Sequence, residues 1–326
     1  MPVQPIFPFE YPRSRQVAMP LGGLGAGCVC LNGEGGIVDF SLRHRPQTTA
    51  APDGHDMREA AFALLRIGGK SPVVKLLEGP LPSAKIYDQG LQAQGYRHGA
   101  FEGLPRFRKS SFRAGYPFGR VDLAHPDVPL RVSVTGWSPL VPLDDVASGL
   151  PCAILEYSLA NPSPAKVNFE FSYHLSHLAA GAGGWPLTRN EVIRDRGVFF
   201  FNEEPAESDS FGSASLTVVG QKPAIKAAWL RGGWFDAVSA LWREAETGTF
   251  QANDGRDDAG CDGRNGGSVL IKGTLAPKEK VVIPVVIAWH FPNSNEVHGR
   301  ATDSQEAAPG TPAWRPFYAS KWSDAR

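Results

Sequence analysis

His174 and His177, three positions apart, are the first side chains in this chain that invite a chemical reading. Two imidazoles at that spacing hold a metal when they share one face of a helix. Here Val167, Phe169, Phe171 and Tyr173 alternate with Lys166, Asn168, Glu170 and Ser172, which is the pattern of a half-buried strand. If the strand continues, the two histidines point to opposite faces and make no ready metal pair. His290 follows Trp289 at another strand end and is equally suited to cap a sheet edge. Carboxylates are the second candidates. Hydrolysis of a glycosidic bond needs two of them about 5–9 Å apart. Asp144-Asp145, Glu203-Glu204 and Asp257-Asp258 are adjacent in sequence, so their side chains diverge, and they read as solvated loops. The run "NDGRDDAGCDGRNGG" has the Asp and Gly content of a calcium loop, which would begin at Asp258. Gly263 then falls correctly at the sixth position, but Val269 stands at the twelfth, where a bidentate Glu is needed. A looser cation site there stays open. No Gly-x-Ser-x-Gly lies between a strand and a helix, so no serine nucleophile is indicated. No cofactor and no specific metal site are expected.

The stretch "PLGGLGAGCVCLNGEGG", residues 20 to 36, raises a phosphate-binding question. A dinucleotide fingerprint needs glycines at the first, third and sixth positions of a run. From Gly23 and Gly25 the third position is Cys28, and from Gly25 and Gly27 it is Cys30. No lysine completes a Walker loop, and no helix follows. Cys28 to Leu31 is a short strand run, Asn32-Gly33 is a favoured tight-turn pair, and Ile37 to Leu42 is a second run. The glycines therefore lead into a β-hairpin, with Cys28 and Cys30 on one face of its first strand.

The elements that must position such residues are mostly strands. Ala153, Leu155, Tyr157 and Leu159 alternate with polar or small neighbours, and so do Leu130, Val132 and Val134. Ala61 to Ile67, Val73 to Leu77, Val198 to Phe201, Ser215 to Val219, Val269 to Leu275 and Val281 to His290 are further strands. The turn Asn161-Pro162-Ser163-Pro164 suggests a hairpin between its flanking strands. Many short strands, punctuated by 36 glycines and 28 prolines, argue for an all-β sandwich. Phe235 to Ala245 is the exception, with Val238, Leu241 and Trp242 at helical spacing, and it reads as a helix on or beside the sandwich. Tyr318, Trp322 and Ala325 also recur at helical spacing, as in a helix that is just starting. The expected division is a sandwich over 1–301 and a connector with that helix start over 302–326, the front part of a longer protein.

The totals narrow the function classes. Of 326 residues, 42 % are hydrophobic, enough for a full core. Thirty-three basic residues balance thirty-three acidic ones, so there is no electrostatic footprint for nucleic acid. Residues 1 to 14 are Pro-rich and unlike a signal peptide, and no apolar run is long enough to span a bilayer, so a cytoplasmic location is expected. Trp137, Trp229 and Trp289 sit in strand runs and are expected in the core. Trp185 in "GAGGWPL" and Trp234 in "RGGWFD" lie in glycine loops. Loop aromatics serve either as sugar-stacking platforms or as plugs at an interdomain interface.

A family resemblance rests on residues 114 to 174. The matching pieces are Tyr116-Pro117-Phe118, Asp127-x-Pro129-Leu130, Ser138-Pro139-Leu140-Val141-Pro142, Ser148-Gly149-Leu150-Pro151 and Asn161-Pro162. The opening glycine stretch, "AWHFP" at 288 to 292, and Tyr318-x-x-x-Trp322-x-x-Ala325 extend it over nearly the whole chain. In this order they resemble the N-terminal domain of glycoside hydrolase family 116, which includes non-lysosomal glucosylceramidases, also called bile-acid β-glucosidases. Cys28 and Cys30 depart from the family pattern, as does Phe40 in place of an expected Trp. The resemblance implies a large two-sheet antiparallel β-sandwich with one or two short helices. It implies an (α/α)6 catalytic barrel after Arg326, carrying a Glu nucleophile and an Asp acid/base for retaining hydrolysis of a β-glucoside or glucolipid. No residue of this chain matches a catalytic motif of the family, so the chain alone is expected to be inactive. The implied role is accessory: to support the barrel and border its sugar cleft. Arg43, His44, Arg45, Trp185 and Trp234 are the candidate contacts to the barrel or its sugar. A free-standing carbohydrate-binding module and the sandwich of a glycoside phosphorylase remain as alternatives.

Overall fold

The computed structural model describes residues 9–10, 13–43, 60–81, 103–180, 187–230, 237–255, 265–294 and 314–326. In chain order the strands are β1 (Phe9–Glu10), β2 (Ala18–Leu21), β3 (Cys28–Asn32), β4 (Ile37–Ser41), β5 (Ala61–Ile67) and β6 (Val73–Leu76). Then come β7 (Lys109–Gly115), β8 (Phe118–Ala124), β9 (Arg131–Trp137), β10 (Cys152–Ala160), β11 (Val167–Ser176) and β12 (Thr188–Ile193). The last are β13 (Gly197–Asn202), β14 (Ser213–Val218), β15 (Ala224–Lys226), β16 (Gly266–Leu275) and β17 (Lys280–His290). Two helices are described, α1 (Asp145–Ser148) and α2 (Ala237–Thr247).

One layer is a nine-stranded sheet in the order β1-β7-β8-β9-β10-β17-β14-β13-β12. The facing layer is split between a three-stranded sheet, β2-β3-β4, and a five-stranded sheet, β15-β16-β11-β5-β6. All three are antiparallel. The alternation read from the sequence decides which side chains meet between the layers. Leu155, Tyr157 and Leu159 of β10 meet Phe169, Phe171 and Tyr173 of β11 in one core, which also takes in Leu21, Val29 and Leu31 of the small sheet. Fully burying each such side chain stabilises by roughly 1.5–3 kcal/mol. Gly136 lets the small sheet approach β9, because a Cβ there would stand 2.8 Å from a Leu21 methyl. Outside the five-stranded sheet, α2 lays Leu241 against Phe62, Leu64 and Trp229 in a second core. The expected helix is therefore present and covers that sheet.

Two local readings are corrected. Residues 161–164 do not close a hairpin. β10 pairs with β9 and β17, whereas β11 pairs with β5 and β16, so the chain crosses between layers there. The connection from β16 to β17 crosses beside it. Asn161 ties the two arches: its side-chain amide donates to the carbonyls of Ala165, Leu275 and Ala276 at 2.7, 3.0 and 3.2 Å. Its backbone pairs with Glu279 and Lys278. Along 314–326, helical spacing gives only one 3-10 turn, Phe317–Ser320. The rest is turn, bend and irregular chain, held on the sandwich by the contacts described below.

Candidate functional site

The glycine stretch forms the stem and loop of the β2-β3-β4 sheet, as its hairpin reading requires. The β3–β4 turn is longer than a two-residue Asn-Gly turn. Asn32 Oδ1 accepts from the backbone N–H groups of Glu34 and Gly36, and the positive φ falls at Gly35. Before β3, residues 22–27 run against the loop between β9 and β10. Gly22 N–H donates to Ser138 Oγ at 2.6 Å, and Leu24 N–H donates to the Ser148 carbonyl at 2.7 Å. A side chain at position 23 would collide with the Leu150 backbone, with a Cβ only 2.4 Å from its oxygen. Trp289, fully buried, donates its indole N–H to the Ala26 carbonyl at 2.7 Å. These glycines serve close backbone packing, and no phosphate cradle is built from them.

That packing brings together an apolar surface. Leu24 from the glycine loop, Tyr116 from the β7–β8 turn, and Leu140, Val141, Leu143 and Val146 from the β9–β10 loop are all exposed. Leu24 and Tyr116 are 62 % and 63 % accessible, and Leu143 is entirely so. A depression lined by Pro20, Leu24, Tyr116, Pro117, Pro139 and Leu140, together with Ser138 and Ser148, connects Leu24, Tyr116 and Leu140. Phe317 extends the surface, since a Cβ at Gly149 would lie 3.8 Å from its ring. The loop is rigidly built: Ser148 Oγ bonds the Val141 backbone on both its N–H and its carbonyl, and Asp144 caps α1 by accepting from Ala147 N–H at 2.8 Å. Asp144 is thus a cap rather than half of an acid–base pair. Glu203 forms an ion pair with Arg189 on the surface, and Asp257 and Asp258 lie outside the described residues.

The residues 314–326 dock on the same end of the sandwich. Tyr318, buried, donates its hydroxyl proton to the Phe291 carbonyl at 2.8 Å and accepts from Phe291 N–H at 3.1 Å. Burial pushes this phenol up to about 12. His290 donates Nε2–H to the Trp322 carbonyl, and its imidazole is held below the usual range mainly by burial. Ser215 Oγ donates to the Ala325 carbonyl, and Ala325 N–H donates to Ser213 Oγ. His290 therefore anchors this segment.

Arg43 stands at this end too. Its guanidinium donates to the carbonyls of Ser210, Leu178 and Ala180 and lies 4.0 Å over the Phe291 ring. It holds three of the chain's own loops together. His44, Arg45, Trp185 and Trp234 lie outside the described residues. The described residues that flank them do converge: Arg43 reaches Ala180, Ser176 pairs with Ala60, and Asn265 reaches Leu230 and His177.

The two histidines read first are apart, as expected. His174 faces α2, stacks on Phe62 and bridges Ser172 and Ser268, whose hydroxyl also accepts from Trp229. His177 lies against Phe200 and donates to the Arg189 carbonyl. Burial lowers them to about 3 and about 4. Among the described residues no cluster of three or more His, Cys, Asp or Glu is arranged to hold a metal. Trp229 and Trp289 are in cores as expected, whereas Trp137 is half-buried on the outer face of the large sheet. There it packs against Phe118 and donates to Glu156. The apolar surface was missed by sequence reasoning. Its signal was a set of apolar residues caged by prolines in "SPLVPLDDV", where no sheet ladder can bury them.

No helix among the described residues is long and apolar enough to cross a membrane. Among solved structures, a polysaccharide lyase matches at 11 % identity and TM-score 0.37, over 85 % of this chain and 33 % of that one. A protein described as a kojibiose phosphorylase, from the human microbiome, matches at 10 % and 0.33, over 85 % and 25 %. One described as an aldose 1-epimerase, from Escherichia coli K12, matches at 11 % and 0.39, over 84 % and 99 %. The chain thus spans a third or less of the length of the first two. No curated protein matches the sequence significantly. The sequence model described as "beta-glucosidase 2, glycosyl-hydrolase family 116 N-term" matches residues 18–325, and the chain belongs to that family of N-terminal domains.

Proposed function

We propose that this sandwich is the accessory domain of a retaining β-glucosidase, and that its exposed apolar end is the face on which the catalytic domain rests. The observation that carries the reading is the patch of Leu24, Tyr116, Leu140, Val141, Leu143, Val146 and Phe317. Monomeric proteins seldom leave so many large apolar side chains together in water, and a partner domain removes that cost. Membership of the family supplies the partner, a companion catalytic domain in the same protein. In this reading the sandwich supplies no acid and no nucleophile. It fixes the barrel's position, and the loops leaving this end border the sugar cleft. A glucolipid such as a glucosylceramide as substrate, and a cytoplasmic location, belong to the same proposal. Free thiols at Cys28, Cys30 and Cys152 suit a reducing compartment.

The test uses Leu143→Asp with Val146→Asp. Both side chains are exposed, so the 326-residue chain keeps its melting temperature to within about 1 °C. In the full-length enzyme the same pair buries two charges in an apolar contact and weakens domain association by about 2 kcal/mol or more. β-Glucosidase activity and resistance to proteolysis between the domains then fall together. Unchanged activity and unchanged cleavage would remove the docking assignment.

A further inference from the structure

The outer face of the nine-stranded sheet carries a row of apolar side chains that the core does not use. Phe118 of β8 is paired with Trp137 of β9, Trp137 with Ile154 of β10, and Ile154 with Val286 of β17. On the same strands Val121, Val134, Leu155 and Val285 turn inward, so these four point out. Phe118 is exposed and Trp137 half-buried, with ring centroids 5.8 Å apart and planes at 43°. Two residues along the strands, Arg120, Thr135 and Glu156 are paired in a second row on the same face. With strands about 4.8 Å apart and same-face residues about 6.8 Å apart, the apolar row crosses about 14 Å of sheet with the polar row alongside. The rows are tied together. Trp137 donates Nε1–H to Glu156 Oε1 at 3.2 Å, which fixes how the indole lies. Arg120 donates Nε–H and Nη2–H to Asp122 Oδ1 at 3.0 and 2.8 Å, and Arg113 pairs with the same carboxylate.

We propose that this face binds an extended, β-linked gluco-oligosaccharide. Phe118 and Trp137 stack on the C–H faces of its rings, and Arg120, Thr135 and Glu156 meet the hydroxyl groups along its edge. The site is separate from the docking surface proposed above. It lies on the broad face of the sheet, whereas the apolar patch lies at the end of the sandwich, so neither assignment rests on the other.

The chemistry of the two rows selects this occupant. A glucose ring in a β-linked chain has apolar C–H faces and a polar rim, which match an aromatic row with donors and acceptors beside it. Arg113 and Arg120 are balanced by Asp122 and Glu156, so the face offers no excess charge to nucleic acid or to an anionic membrane. A protein partner would have to take those four ions out of water. Sugar hydroxyls instead replace the water, donating to the carboxylates and accepting from the guanidiniums. A β-1,4-linked chain is straight enough to follow a row across four strands, whereas an α-1,4-linked chain curls away from it. Sugar is also the chemistry of the family to which the chain belongs.

The experiment is a calorimetric titration of the 326-residue chain with cellohexaose. The expected result is saturable binding with a Kd below about 1 mM. Maltohexaose, the α-linked hexaose, should bind at least about tenfold more weakly. Trp137→Ala should lower the affinity at least about tenfold, and Phe118→Ser about threefold or more. Phe118 and Arg120 are exposed, so Phe118→Ser and Arg120→Ala keep the fold even where Trp137→Ala does not. Leu143→Asp with Val146→Asp should leave sugar binding unchanged, which separates this test from that of docking. Loss of binding in that pair would move the site to the end of the sandwich and overturn the proposal. The absence of saturable binding overturns it, and so does equal binding of the two hexaoses. Phe118→Ser and Arg120→Ala chains that both bind like the wild type do the same. Two further outcomes assign the face to another occupant and also overturn it. One is a dimer of the chain that Phe118→Ser dissociates. The other is a Phe118→Cys thiol that alkylates in the 326-residue chain but is shielded in the full-length protein.

Discussion

At the scale of single residues, the buried imidazoles give a pH dependence with a definite sign. His174 and His177 are fully buried and neutral in the folded chain, at about 3 and about 4, chiefly because burial removes the water a cation needs. In the unfolded chain they take up protons near pH 6.5. Between those limits the unfolded state binds more protons, so stability is complete above about pH 6.5 and falls as the pH drops. Each group contributes a slope of about 1.4 kcal/mol per pH unit. Chemical denaturation at pH 7.0, 6.0 and 5.0, above the range where most carboxylates titrate, should show the loss. A flat profile would mean that both imidazoles are charged in the native state, and half the slope that one of them is. At this scale the sequence was legible wherever alternation governs. It put the histidines on opposite faces and the two cysteines on one. It could not separate the two faces of the outer sheet at Trp137, because a tryptophan in a strand satisfies either a core or a half-wet surface with an acceptor such as Glu156.

At the scale of elements, the arches matter most. Asn161 is buried and satisfies carbonyls on both crossings, and its own Oδ1 accepts from Ser163. Asn161→Ala leaves several of these groups without partners inside the protein and should cost about 2–4 kcal/mol, read as a lower denaturation midpoint with unchanged far-UV circular dichroism. A change below about 0.5 kcal/mol would show that water replaces the amide. The misreading of 161–164 as a hairpin has the same origin. Asn-Pro-Ser-Pro dictates that the chain turns, but an arch between layers and a hairpin within one need the same turn residues. Which partner β11 finds is decided by β5 and β16, far away in sequence. β5 and the core stretches of β10, β11 and β16 were plain because they are apolar and alternate. β7, β8 and β12 were not, since Arg113, Arg120, Asp122 and Glu191 on their outer faces dilute the pattern.

At the scale of the whole molecule, the fold class was legible, but the apolar end was not. That surface is assembled from the glycine loop, two turns of the large sheet and the 3-10 turn at Phe317–Ser320, and no local pattern records such an assembly. The sequence pointed instead to Trp185 and Trp234, in segments outside the described residues. The docked segment gives a test at this scale. Tyr318→Phe removes both hydroxyl bonds to Phe291 and should cost about 2 kcal/mol, with faster amide exchange along 314–326 than elsewhere. Equal protection in both proteins would mean that His290, Ser213 and Ser215 suffice to hold the segment.

The position of β17 has a consequence for how the chain is made. Cys152 of β10 is paired with Ala288 of β17, and β17 is also the neighbour that joins β14 to the rest of the large sheet. On a ribosome, β7 to β10 can zip together early, but the free edge of β10 must wait until β17 emerges. Until then it offers a row of unpaired amides and carbonyls beside apolar side chains, open to a neighbouring nascent chain. The yield of soluble protein should therefore depend less on the strength of the finished core than on how quickly residues 280–290 reach that gap.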